Sequence, residues 1–228
     1  MKILVLLLAL SAISLAGDAG RMVSRYAKSD FALSADPNAA QWKKVPAISM
    51  ENDTDGKPVA GHRSEVRSRW THKNLYVLFT CPYQELYLHP DPKTAEETNE
   101  LWNWDVAEIF AGTDFKDIKH YTEYEISPQG EWVDLDINRN TTPPNHNVKW
   151  DSGFQVKARI DSAHKVWYGE MQIPFSALGL AKPAKGAQLR VNFFRAQGSD
   201  PGRKYLSWQP THSATFHVPE AFGLLVLK

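Results

Sequence analysis

From Ser64 to Trp70 the chain alternates strictly: Ser64, Val66, Ser68 and Trp70 are small or apolar, while Glu65, Arg67 and Arg69 are charged. A period of two marks a β-strand with two unlike faces, because successive side chains point to opposite sides. Similar signals recur. Leu75 to Cys81 is a denser apolar strand entered through Lys73-Asn74, and Val106 to Ala111 is a short one ending at Gly112-Thr113-Asp114. His120 to Ser127 and Glu131 to Ile137 flank Pro128-Gln129-Gly130, where glycine suits a turn that needs positive φ. Phe154 to Ile160 and Val166 to Ile173 flank Asp161-Ser162-Ala163-His164; Leu189 to Ala196 and Phe222 to Leu227 complete the set. Short strands joined by turns predict an all-β antiparallel sandwich. One helical turn is expected at Pro174 to Leu178, stopped by Gly179. The stretches Pro90 to Asn99 and Thr141 to Asn147 read as loops.

The N-terminus has a different character. Met1-Lys2 precedes an apolar run from Ile3 to Leu15, and Ser14-Leu15-Ala16 offers a small-x-small cleavage site. This is the pattern of a secretory signal peptide spanning residues 1–17, and the run is too short for an ordinary membrane-spanning helix. The remaining residues, 18–228, suit one large all-β domain that is secreted or periplasmic, with no stable membrane span. Cys81 is the only cysteine of the 228 residues, so the exported fold rests on its core rather than on internal disulfides. Basic and acidic residues balance at 26 each, without a basic stripe interleaved with aromatics, which argues against a nucleic-acid partner.

Two groupings carry chemistry. Leu101-Trp102-Asn103-Trp104-Asp105-Val106-Ala107-Glu108 sets two tryptophans beside two carboxylates at the mouth of a strand. Tryptophan faces attract the C–H faces of sugar rings, and carboxylates accept hydrogen bonds from hydroxyls. Glu123, Glu125, Glu131, Asp134 and Asp136 make an acidic region across one hairpin, with Glu123 and Glu125 on one face and Asp134 and Asp136 sharing a face. That region is either a polar floor for a sugar, a glycosidase pair, or a solvated outer face. Glu51 to Gly56 begins like a calcium loop, but His62 stands at the twelfth position, and a plain turn accounts for it. No HExxH, GxSxG, Walker loop or GxGxxG occurs.

The ordered set Trp70-Thr71, Leu75-Tyr76-Val77, Trp102 through Phe110, Gly169 through Gly179, Ser207-Trp208 and Pro219 through Leu224 resembles the family-nine carbohydrate-binding modules and their relatives in the DOMON-like superfamily. The resemblance covers Ala35 to Lys228. It implies a DOMON-like, jelly-roll-like β-sandwich with a ligand groove that binds sugar without hydrolysing it. In the well-studied members two aromatic rings clamp a terminal, often reducing-end, sugar. Trp102 falls on the first clamp position, Phe216 on the second, where those members carry tryptophan, and Glu108 on the sugar-binding carboxylate. Glu125 stands where they have a sugar-binding arginine and Phe194 where they have a glutamine, so their sugar preference does not transfer. Calcium is common in the family; its ligands match no residues here. Arg195 shares a face with Phe193 and pairs either with one of these carboxylates or with another core-edge acid.

The expectation is a non-catalytic module that binds a mono- or oligosaccharide end, through Trp102, Glu108, Glu125, Phe194, Arg195 and Phe216, and serves partner glycosidases. The alternatives are a glycoside hydrolase using two carboxylates from Glu108, Glu125 and Asp134, and a haem-binding relative that would need Met or His ligands.

Overall fold

The computed structural model describes residues 20–228. The signal peptide expected at 1–17 lies outside the described residues. The strands are β1 Arg21–Tyr26, β2 Ile48–Met50, β3 Asn52–Asp53, β4 Ser64–Trp70, β5 Asn74–Pro82, β6 Val106–Gly112 and β7 His120–Ile126. They continue with β8 Trp132–Asn138, β9 Asn145–Asn147, β10 Gln155–Asp161, β11 Val166–Pro174, β12 Gln188–Gln197, β13 Lys204–Ser207 and β14 Gly223–Leu227. The alternating and apolar runs become strands within a residue or two of their expected ends. Gly130 takes φ +91° at the β7–β8 turn, as that turn requires. Among the described residues no helix is long and apolar enough to cross a membrane.

One half of the sandwich runs β10-β11-β5-β4, with β2 beside β4; the other runs β14-β12-β6-β7-β8-β9, with β13 on β12 and β3 on β13. Strand β1 joins the halves. Its residues Arg21 to Ser24 run parallel to β14, and Arg25 and Tyr26 run parallel to β4. The expected antiparallel sandwich is therefore a strongly curled, mixed sheet. A strand entering from the N-terminus has no hairpin tying it to a neighbour, so no tight turn imposes an antiparallel direction. Two local expectations also change. Where a helical turn is expected at Pro174 to Leu178, Pro174 ends β11 and residues 175–179 form successive turns, with Gly179 at φ +69°. Part of the Thr141–Asn147 loop pairs with β8 as β9.

The inner faces supply the core. Val66, Val77, Phe79, Trp167 and Met171 from one half pack with Ile109, Tyr124, Ile126, Val191 and Phe193 from the other. Each such apolar side chain contributes about 1.5–3 kcal/mol on burial. Cys81 lies fully buried there, and burial pushes its thiol up, away from reactivity. Met50 and Met171 are core residues too.

Both outer faces are covered as well. Trp42 and Val45 pack on Tyr76 and Leu78 over the first half. There Glu170, fully buried, accepts from Ser34 N, Ala35 N, Ser34 Oγ and Trp42 Nε1 at 2.7–3.2 Å. Over the second half, Leu101, Val106, Phe110, Tyr121, Leu135, Ile137 and Phe194 form a separate apolar layer, joined by Phe216 and Phe222.

Candidate functional site

That second outer face carries a cleft of about 1010 Å³. Its floor follows from strand register. Phe194 on β12 faces Glu108 on β6, Glu108 faces Glu125 on β7, and Glu125 faces Val133 on β8. Directly opposed residues of an antiparallel pair point to the same side, so these four form one row. The neighbouring row sets Phe110 against Glu123, and Glu123 against Leu135. Beneath the cleft thus lie two rows, each with its acidic side chains flanked by apolar ones.

The walls come from loops. A single 3-10 turn, Leu101–Asn103, buries Leu101 and leaves Trp102 37% exposed at the rim. The segment opening the strand is therefore a helical turn, with β6 beginning only at Val106. The Phe216 ring stacks on Phe194, with centroids 4.2 Å apart and planes 14° from parallel. Trp102, Phe216, Glu108 and Glu123 all line the cleft, together with Arg203, Tyr205, His146 and His217. Trp104 turns aside and packs against Tyr87, with centroids 4.6 Å apart. Asp105 is a structural anchor: it accepts from Tyr87 N, Gln197 Nε2 and Gly198 N at 2.6–3.1 Å.

The carboxylates of Glu108, Glu123 and Glu125 lie within 4.8 Å of one another and are 2%, 4% and 0% exposed. Burial pushes Glu108 well above the ordinary carboxylate range; the Glu123 charge adds to this and Arg203 opposes it. Burial likewise raises Glu125 strongly, with the Glu108 and Glu123 charges adding. Burial holds Glu123 up to about 7. In contrast to Glu170, neither oxygen of Glu125 nor Oε2 of Glu123 accepts from a backbone or neutral side-chain donor; Glu123 and Glu125 meet only as acid against acid.

Two sequence candidates lie on the sheet face turned away from the cleft. Arg195 does share a face with Phe193, but that face is the core. It is fully buried and donates to Ser64 Oγ at 3.0 Å and to Gln197 Oε1. Its acid is the core-edge Asp105, reached through Gln197. Asp134 opposes Tyr124, on the side of β8 away from Glu125, and accepts from Ser152. The carboxylates considered for hydrolysis are thus divided between two faces. Phe194 lies under Phe216 and does not itself line the cleft.

The family described as carbohydrate family 9 binding domain-like matches residues 36–228. The chain belongs to this family. The fold agrees with a family 9 carbohydrate-binding module from Caldicellulosiruptor kristjanssonii in complex with glucose, at TM-score 0.66 and 15% identity, covering 91% of this chain and 95% of that one. A second structure of a family 9 module from that organism, in complex with cellotriose, matches at TM-score 0.61 and 17% identity, covering 91% and 93%. A protein of Arthroderma benhamiae named extracellular protein is 24% identical, over 75% of this chain and 81% of its own length.

In this family 9 chain, two residues of the cleft had no signature in the sequence. Arg203 donates to Trp102 O and Trp104 O, both at 2.7 Å, and to Gly198 O at 2.8 Å. It ties the turn that carries Trp102 to the loop leading into β13. His217 places Nδ1 2.8 Å from the Tyr121 hydroxyl and Nε2 3.9 Å from Glu123 Oε2. Burial, with His146 and Arg139 nearby, pushes this imidazole down to about 3, so the ring is neutral near pH 7. Both residues lie on irregular segments, where no periodicity announces which side chains converge.

Proposed function

We propose that the chain is an exported, non-catalytic carbohydrate-binding module whose single domain, residues 18–228, holds the end of a sugar chain between Trp102 and Phe216 and serves partner glycosidases. The observation that carries this reading is the convergence of an exposed indole, a supported phenyl ring and the Glu108 carboxylate on one cleft. Flat apolar faces with few placed polar groups are what a reversible sugar site needs. Each stacking contact is worth about 0.5–1.5 kcal/mol by analogy with aromatic pairs. Phe216 offers less surface than an indole, so its side of the clamp is the weaker one. Hydrolysis would need two carboxyl groups flanking a scissile bond. Glu108, Glu123 and Glu125 instead crowd together on one sheet face, which supports binding without chemistry. Export is supported by the N-terminal apolar pattern and by the name of the Arthroderma relative.

The test is a fluorescence titration, reading the tryptophans, against a panel beginning with glucose and cello-oligosaccharides, in buffer containing calcium chloride. A saturable change with at least one sugar is expected. No change with any sugar at about millimolar concentration, where binding is worth only about 4 kcal/mol, would contradict the reading.

A further inference from the structure

We propose that Glu108, Glu123 and Glu125 form a divalent-cation site in the floor of the cleft. Building on the sugar-binding reading above, we also propose that the cation helps to hold the ligand there. Three carboxylates converge within 4.8 Å of one another among Phe110, Val133, Leu135 and Phe194. An apolar setting of this kind is where an uncompensated charge costs most. The fold satisfies buried acids elsewhere, with four donors on Glu170 and three on Asp105. It supplies none to either oxygen of Glu125 or to Oε2 of Glu123.

The Arg203 guanidinium does not fill the gap: three of its N–H groups go to backbone carbonyls, and the buried oxygens of Glu125 and Oε2 of Glu123 accept none. Among the described residues the nearest imidazole to the trio is His217, neutral near pH 7, whose Nε2 lies 3.9 Å from Glu123 Oε2. That imidazole is oriented by Tyr121 through its other nitrogen, as metal-facing histidines commonly are. A donor set of carboxylate oxygens without thiolate selects hard cations such as Ca²⁺ or Mn²⁺. Glu108 and Glu123 line the cleft while Glu125 lies wholly beneath it. A cation held by all three would thus present its remaining positions toward the cleft, where sugar hydroxyls would lie.

The full chain is stripped with EDTA and titrated calorimetrically with calcium chloride and with manganese chloride. The comparison uses wild type, Glu125→Gln and Asp151→Asn, the last altering a separate acidic group formed with Glu97 and Asp134. Wild type and Asp151→Asn are expected to bind a cation at the cleft. Glu125→Gln is expected to lose that event or weaken it more than tenfold, more than the loss of an outer-shell partner typically costs at the lower end. Equal cation binding by Glu125→Gln and wild type, or no binding by wild type, overturns the site. Should Glu125→Gln fail to fold, Glu123→Gln serves the same comparison. A sugar arm runs with cation and with EDTA. Sugar binding lost in EDTA supports the cation's role, and equal binding in EDTA overturns that role. Cation binding with no sugar bound from the panel would leave the cation site standing and overturn the sugar reading and the role built on it.

Discussion

Phe216 lies nearly parallel on Phe194, 4.2 Å between ring centroids. A loop residue is thereby fixed on a strand residue that is itself fully buried. The two rings divide the work: Phe194 supplies the support and Phe216 the face that lines the cleft. Phe194→Ala should lower unfolding stability by about 3–5 kcal/mol, the usual cost of emptying a buried phenyl site, and should also loosen sugar binding. Phe216→Ala, at a half-buried position, should lose affinity with a much smaller stability change. Urea unfolding beside sugar titration separates the two; equal stability losses would refute this division.

Arg203 should matter for binding through the turn that it holds. Its fork of hydrogen bonds to Trp102 O, Trp104 O and Gly198 O fixes the turn that presents the indole. Lysine keeps the charge but not the fork. Arg203→Lys is expected to weaken sugar binding by about 1 kcal/mol, several-fold in Kd, while Tm moves little. Calorimetry with a thermal melt checks it; unchanged Kd would remove Arg203 from the site's support.

Glu170→Ala should behave in the opposite way. The change strands the donors of Ser34, Ala35 and Trp42 in a buried setting. Losses of about 3–5 kcal/mol are expected from the unsatisfied donors and the cavity together. Sugar affinity at a temperature where the variant is folded should not change, because Glu170 lies on the outer face of the other half. A stability change under about 1 kcal/mol in denaturant titration would contradict this.

Stability should fall as pH rises toward neutrality. Burial, with the Asp134 and Asp151 charges, holds Glu97 up to about 7 in the fold, whereas an unfolded glutamate titrates near 4.3. Between these values the folded chain binds more protons than the unfolded one, so this contribution is fully present below about pH 4.3 and is lost as pH passes the folded value. In EDTA, Tm should drop between pH 5 and 8, and Glu97→Gln should flatten part of that drop. Identical Tm-versus-pH slopes for the two proteins would contradict the assignment.

The strands were legible because their residues alternate, as from Ser64 to Trp70, or are mostly apolar, as from Leu75 to Cys81. Strand β1 was not, since Arg21, Ser24 and Arg25 interrupt its apolar residues and its partners lie far along the chain. Strands β2, β3, β9 and β13 span only two to four residues, too few to show a period. In the site, the shared face of Glu123 and Glu125 followed from parity alone. Which face it would be did not, and the same gap misplaced Arg195: its kinship with Phe193 was right, but only register against β6 shows that face to be the core. Phe216 was placed by resemblance, while Arg203 and His217 lie on loops whose course no local pattern encodes.

The central claim is that Trp102 and Phe216 hold a sugar over the carboxylate floor. It is tested most directly by calorimetric titration of wild type and Trp102→Ala with the sugar that gives the largest fluorescence response, in calcium-containing buffer. Because Trp102 is exposed at the rim, the variant should fold as wild type does. Its affinity should fall at least severalfold, by about 1 kcal/mol or more. Equal affinity of the two proteins would contradict the clamp.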